Sequence, residues 1–140
     1  MKESRSIFVD ASAWIEAINP NAPEHALFRE ALLAEERLIT SNFVLDEVLT
    51  HFIRRLGIDV ASAVALLFLE EDVELVRVSP KDELEALAGF VSQPAPRPRE
   101  GVSYTDFTCF ALMRRLGIRR ALAKDPHFED RGFEVVPPRG

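Results

Sequence analysis

Residues 7–17 read IFVDASAWIEA, and their order constrains the fold more than that of any other stretch. Three large apolar residues, Ile7, Phe8 and Val9, run straight into Asp10 and then into small, helix-compatible residues that lead to Trp14. The run reads as a buried strand followed at once by a helix. An unpaired carboxylate at the end of a buried strand costs roughly several kcal/mol, so something has to neutralise Asp10.

Outward from this point, short β-rich runs alternate with longer helical patterns. The runs are SIFV (6–9), RLIT (37–40), VELVRV (73–78), RALA (120–123) and FEVV (133–136). Between them lie PEHALFREALLAEE (23–36), FVLDEVLTHFIRRLG (43–57), DVASAVALLFLEED (59–72), PKDELEALAGFVSQ (80–93) and TDFTCFALMRRLG (105–117). Arg54 and Arg55 before Gly57, and Arg114 and Arg115 before Gly117, suit helix C-termini, while Asp59 and Thr105 are candidate N-caps. Strands separated by helices imply a mainly parallel central sheet in an α/β sandwich, and 140 residues suit one domain, 1–140. QPAPRPRE (93–100) reads as an exposed loop before the last long helix.

A hydrophobic fraction of 47% with 29% charged residues is ordinary for a soluble globular chain and excludes disordered and collagen-like classes. The longest apolar run, AVALLFL (63–69), is too short to cross a bilayer, and MKESRS lacks the apolar region of a signal peptide, so a cytoplasmic location is expected. Cys109, the single cysteine, lies beside Phe107, Phe110 and Met113 and reads as a core residue rather than a nucleophile. The 17 basic and 23 acidic residues give a net charge of −6, which argues against a simple basic clamp on nucleic acid. Acids that hold cations turn a repulsive pocket into an attractive one locally.

Such acids stand where strands end or helices begin. Asp10 follows the first strand, Glu47 lies in the first turns of the helix after the second, Asp106 opens the TDFTCF helix, and Asp125 follows the fourth strand in ALAKDPHF. Open α/β sheets bind ligands outside the carboxyl ends of their strands, which is where these side chains are expected to converge. Crowded carboxylates repel unless cations intervene, and hard oxygen ligands select Mg²⁺ or Mn²⁺ over zinc. An ion so held polarises phosphoryl oxygens and acidifies water, which points to phosphate chemistry. Two divalent ions would bring the net charge from −6 to −2.

Each residue also has an ordinary reading: Asp10 as a helix N-cap, Asp106 as a helix-dipole partner, Glu47 as a solvated acid with Asp46 facing inward in its place, and Asp125 as a turn residue before Pro126. His127 is a candidate to orient a phosphate or to protonate a leaving oxygen, against an ordinary turn histidine. His25 and His51 read as helix-surface residues, and Phe128 and Phe133 as core. Arg97, Arg99, Arg114, Arg115, Arg119 and Arg120 are candidates for phosphate contacts.

IFVDASAWIEA, TSNFVLDEVLT, SYTDFTCFALMRRLG and AKDPHFEDRGFEVV together resemble, in order and spacing, the four acidic motifs of PIN domains, especially the small VapC-like ribonucleases of toxin–antitoxin systems. The resemblance runs over nearly the whole chain and implies a three-layer sandwich. It implies that Asp10, Glu47, Asp106 and Asp125 are metal-binding catalytic acids, with Ser12 in the small-hydroxyl position two residues after the first. It further implies a Mg²⁺- or Mn²⁺-dependent phosphodiesterase in which metal-bound water attacks RNA, with an antitoxin protein as partner, a homodimer and no membrane. PAPRPREGV (94–102) departs from the family pattern. Two readings compete. A phospho-acceptor receiver suits Lys124, but VDAS has one acid and VRVSPK none; a degenerate PIN-like RNA-binding scaffold keeps the fold, although all four acids are present. A haloacid-type phosphatase needs a second Asp where Ser12 stands.

Overall fold

In the computed structural model, which describes residues 5–70, 72–94, 98 and 100–138, the run that opens the sequence becomes β1 (Ser6–Val9), with Ile7, Phe8 and Val9 wholly buried. Successive strand residues point to opposite faces, so burial of all three means that both faces are covered. The remaining elements are α1 (Ala11–Ile18), α2 (His25–Leu33), β2 (Arg37–Ser41), α3 (Asn42–Leu56), α4 (Ile58–Leu67), β3 (Val73–Val76), α5 (Pro80–Ser92), α6 (Tyr104–Leu116), β4 (Arg120–Leu122), α7 (His127–Asp130) and β5 (Glu134–Val136). The strands form one sheet in the order β3-β2-β1-β4-β5, and every pairing is parallel. β1 sits at the centre, with Phe8 opposite Ile39 of β2 and Ala121 of β4. Edge strands β3 and β5 carry the exposed Glu74 and Glu134.

The expected three-layer α/β sandwich is therefore found, with a sheet that is parallel throughout. Its departures from expectation are local. The last residues of VELVRV do not continue β3, because the Val78 amide donates to Asn42 Oδ1 at 2.8 Å instead of to a strand. α4 stops at Leu67, where Phe68 turns inward and meets Trp14 edge-on at 4.9 Å. Ser103, not Thr105, caps α6: its backbone is extended and its hydroxyl accepts the Asp106 amide at 3.1 Å. Asp59 lies in the first turn of α4 instead of capping it, since Gly57 both ends α3 and precedes α4. α7 is a single turn that periodicity does not announce.

α5 and α6 pack closely through two devices. Asp82, buried in the first turn of α5, accepts from Arg115 Nε and from its terminal nitrogen at 2.8–3.0 Å. Burial alone would raise the Asp82 carboxyl; the Arg115 bonds and the Ser79 capping box outweigh it and hold the carboxyl below its ordinary range. The second device is Gly89, where a Cβ would stand 2.7 Å from Cδ1 of Phe107. That ring is buried, with Phe90 and Phe110 edge-on to it and the Arg131 guanidinium 5.1 Å above it, so it has little room to yield. Gly89→Ala is therefore expected to destabilise the protein by about 1–2 kcal/mol despite alanine's better helix propensity. Urea denaturation checks this, and a gain in stability would show that the helices can separate freely.

Candidate active site

The chain leaves β1 for β2 on one side and returns from β3 to β4 on the other, which makes the carboxyl ends of β1 and β4 the point where strand order reverses. In parallel sheets a crevice opens there. Asp10 follows β1 directly, and its amide extends the β1–β4 ladder by donating to Leu122 O at 3.0 Å. It occupies the N-cap position of α1, yet its side chain makes no capping bond to the second or third amide of that helix. Its carboxylate instead accepts from the Ser12 hydroxyl at 3.0 Å, and Ser12 Oγ in turn accepts the Lys124 amide at 3.0 Å. One hydroxyl thus ties Asp10 to the β4–α7 segment that carries Asp125.

The other acids face the same place. Glu47 lies on the rim of α3, one residue before buried Val48, and Asp106 is half-buried in the first turn of α6. Asp125 is half-buried between β4 and α7. Burial, then the Asp125 charge and more weakly that of Glu47, push Asp10 up to about 7 against the opposing Ala11 amide and Ser12 hydroxyl. Burial and the charges of Asp10, Asp125 and Glu47 push Asp106 up to about 8. Glu47 is raised by partial burial and by Asp125, with a lesser contribution from exposed Asp46. Glu47 acts on both Asp10 and Asp106, whereas Asp46 acts on neither, so Glu47 is the member of this exposed pair whose charge is felt in the crevice. The four acids expected to converge do converge, within electrostatic reach of one another.

Among the described residues, no lysine or arginine forms an ion pair with any of the four. Arg114 is engaged by Glu85, Arg115 by Asp82, and Arg120 by Glu35, so these three are structural rather than free for phosphate. Arg97 and Arg99 lie outside the described residues. A cleft of about 550 Å³ bordered by Arg5, Arg37, Arg119 and Arg120 opens at the amino-terminal ends of the strands, away from the acids. The acidic crevice is an anionic, oxygen-rich donor set with no counter-ion among the described residues, and its chemistry fits a hard divalent cation.

His127, the first residue of α7, belongs to the crevice. Its amide donates to Asp125 Oδ1 at 3.2 Å, and one of its ring nitrogens lies within 4.8 Å of carboxylate oxygens of both Asp106 and Asp125. Cys109 is fully buried, and burial with the nearby acids raises its thiol well above the ordinary range, consistent with a core role. Trp14, Phe128 and Phe133 pack in or against the core; His25 contacts the Glu16 carbonyl, and His51 lies edge-on to Phe52. Sequence reasoning missed Glu16 as a partner. This buried acid of α1 pairs with Lys124 Nζ at 2.8 Å and so fastens the Asp125 segment a second time. Its signal was a lone acid in the otherwise apolar stretch AWIEAI.

A PIN-domain family model matches residues 7–134. The chain belongs to the PIN-domain family. This PIN-domain chain is 35% identical over 133 residues to the 23S rRNA-specific endonuclease VapC20 of Mycobacterium tuberculosis, covering 94% of itself and 98% of that protein. The crystal structure of VapC20, a sarcin–ricin loop cleaving toxin, superposes with a TM-score of 0.84 at 33% identity over 94% of this chain and 99% of that one. A toxin–antitoxin complex from Klebsiella pneumoniae matches with a TM-score of 0.68 at 11% identity, over 95% of this chain and 98% of that one. VapBC2 of Rickettsia felis, bound to promoter DNA, matches with 0.66 at 13%, over 93% and 96%. At such identities these two share the fold.

The crowding of the PIN-domain acids sets a pH dependence. Below the ordinary carboxylate pKa of about 3.9, Asp10 and Asp106 are protonated in the folded and unfolded chains alike. Above it the unfolded chain loses protons that folded Asp10 and Asp106 retain up to about 7 and 8, so stability falls as pH rises through this window. In EDTA, unfolding free energy is expected to be about 2–4 kcal/mol lower at pH 8 than at pH 5.5. Urea melts at the two pH values measure it, and a flat profile would contradict the crowding.

Proposed function

We propose that this chain, acting as one domain over residues 1–140, is a Mg²⁺- or Mn²⁺-dependent endoribonuclease that hydrolyses RNA phosphodiester bonds and serves as the toxin of a toxin–antitoxin pair. The observation that carries the reading is the convergence of Asp10, Glu47, Asp106 and Asp125 at the strand-order reversal, with no described cation paired to them. Asp10, Asp106 and Asp125 would hold the metal, with Glu47 at the rim. A divalent ion there supplies a Lewis acid for a phosphoryl oxygen and lowers the pKa of a water.

The chain's own groups prepare the site. Ser12 orients the Asp10 carboxylate, and Lys124, held by Glu16, keeps the Asp125 segment against α1. Buried Val9 and Leu122, ahead of Asp10 and Asp125, make the floor apolar and strengthen every charge interaction above it. The half-buried Asp106 and exposed Glu47 leave the outer side open for a polynucleotide. The relative's name makes 23S ribosomal RNA, and its sarcin–ricin loop, the first substrate to try. The VapBC complexes among the structural neighbours support an antitoxin protein as partner, and we extend the reading to a cytoplasmic homodimer with no membrane partner. No described helix is long and apolar enough to cross a membrane.

The test is cleavage of a panel containing structured rRNA fragments and single-stranded RNA, in Mg²⁺, Mn²⁺ or EDTA, by the protein and by Asp106→Asn. Cutting that needs metal and disappears in the variant is the expected result. Equal cutting by both preparations would identify a contaminant, and no cutting of RNA under any condition, with metal still bound, would turn the reading towards the scaffold.

A further inference from the structure

We propose that His127 is a metal ligand, and that its imidazole makes this site favour Mn²⁺ over Mg²⁺ more strongly than an all-carboxylate site does. The inference rests on the metal-dependent reading above and adds a nitrogen donor to it. One ring nitrogen of His127 and one carboxylate oxygen each from Asp106 and Asp125 lie within 4.8 Å of one another. Donors around a six-coordinate ion with metal–ligand distances of about 2.0–2.2 Å stand roughly 3–4.4 Å apart. Small rotations of these half-buried side chains therefore close the set.

The ring is held where it is needed. Phe128, the next residue, is fully buried and meets Phe110 at 5.0 Å, which anchors α7 in the core. The His127 amide donates to Asp125 Oδ1, fixing that carboxylate relative to the imidazole. Of the three histidines, His25 is turned to the Glu16 carbonyl and His51 to the Phe52 ring, so only His127 stands among the acids. Asp10 and Glu47 complete the anionic side of the crevice without joining this triplet. Mg²⁺ prefers hard oxygen donors and its water shell, whereas imidazole binds first-row transition ions increasingly well along the divalent series. A mixed nitrogen–oxygen position thus discriminates between two ions that an all-oxygen position treats more alike.

The experiment measures binding, not activity. Mn²⁺ affinity is read by EPR of the free ion, and Mg²⁺ affinity by competition, for the protein, His127→Ala, His127→Asp and Asp106→Asn. Thermal melts in EDTA establish that each variant is folded. His127→Ala is expected to weaken Mn²⁺ about tenfold or more while changing Mg²⁺ less than threefold. His127→Asp, which puts a hard oxygen donor in place of the imidazole, should hold both ions but with a Mn²⁺ to Mg²⁺ affinity ratio below that of the parent. Pulsed EPR of the Mn²⁺-loaded protein should show nitrogen modulation that His127→Ala removes. An unchanged Mn²⁺ to Mg²⁺ affinity ratio in His127→Ala, with nitrogen modulation absent from the parent, overturns the inference. If Asp106→Asn weakens both ions while His127→Ala does neither, only the histidine's role falls. If Asp106→Asn also leaves both affinities intact, the carboxylate site falls with it.

Discussion

Asp10→Asn is expected to reduce RNA cleavage by on the order of 10³-fold or more and, in the same molecule, to raise the melting temperature of the metal-free protein by about 5–10 °C at pH 8. Both effects come from one charge. The carboxylate is 3% exposed, it faces Asp125 and Glu47, and no described cation is paired to it. Asparagine has the same shape without the charge, and the Ser12 hydroxyl can accept from the new amide as readily as it donates to the old carboxylate. Removing the repulsion is worth about 2–4 kcal/mol to the folded state in EDTA. The gain should shrink at pH 5.5, where Asp10 is already protonated, and should shrink again when Mn²⁺ neutralises the parent. A variant less stable than the parent at pH 8 without metal would sink the account of Asp10 as an uncompensated buried acid. Many sites trade stability for activity in this sense, and here the group responsible and the sign at each pH are named.

The second large effect is expected at Phe128. This side chain is wholly buried in the one-turn α7, with Phe110 edge-on at 5.0 Å and Phe133 at 6.2 Å. Phe128→Ala should cost about 3–5 kcal/mol, the range for truncating a buried aromatic, and should move the urea midpoint down by roughly 1.5–3 M. A one-turn helix has almost no stability of its own, so its place depends on this anchor. Asp125 and His127 stand three residues and one residue before that anchor in sequence, and metal affinity should therefore fall with stability. Titration below the denaturation midpoint separates the two effects. A loss under about 1 kcal/mol would mean that the aromatic cluster repacks around the vacancy.

The legible parts of the molecule were those encoded in short windows. A central parallel strand has to be apolar on both faces, and SIFV announced it; the abrupt Asp10 announced the carboxyl end. Helix ends at Gly57 and Gly117 were readable because a left-handed or otherwise positive φ selects glycine. Thr105 misled because Ser103, two residues further from the apolar run, offers the same chemistry. α7 was unreadable, since four residues contain no period.

The sequence by itself determined the set of strands, the α/β class and which acids stand at strand ends and helix starts, because apolar periodicity and cap chemistry are local. Only the tertiary structure decided the order β3-β2-β1-β4-β5, the choice of Glu47 over Asp46, the arginines committed to Asp82, Glu35 and Glu85, and the Glu16–Lys124 tie. It also decided that Asp10 and Asp106 are held near neutrality, because the field at a carboxylate depends on its burial and on distances to charges from remote segments. No local pattern carries those distances.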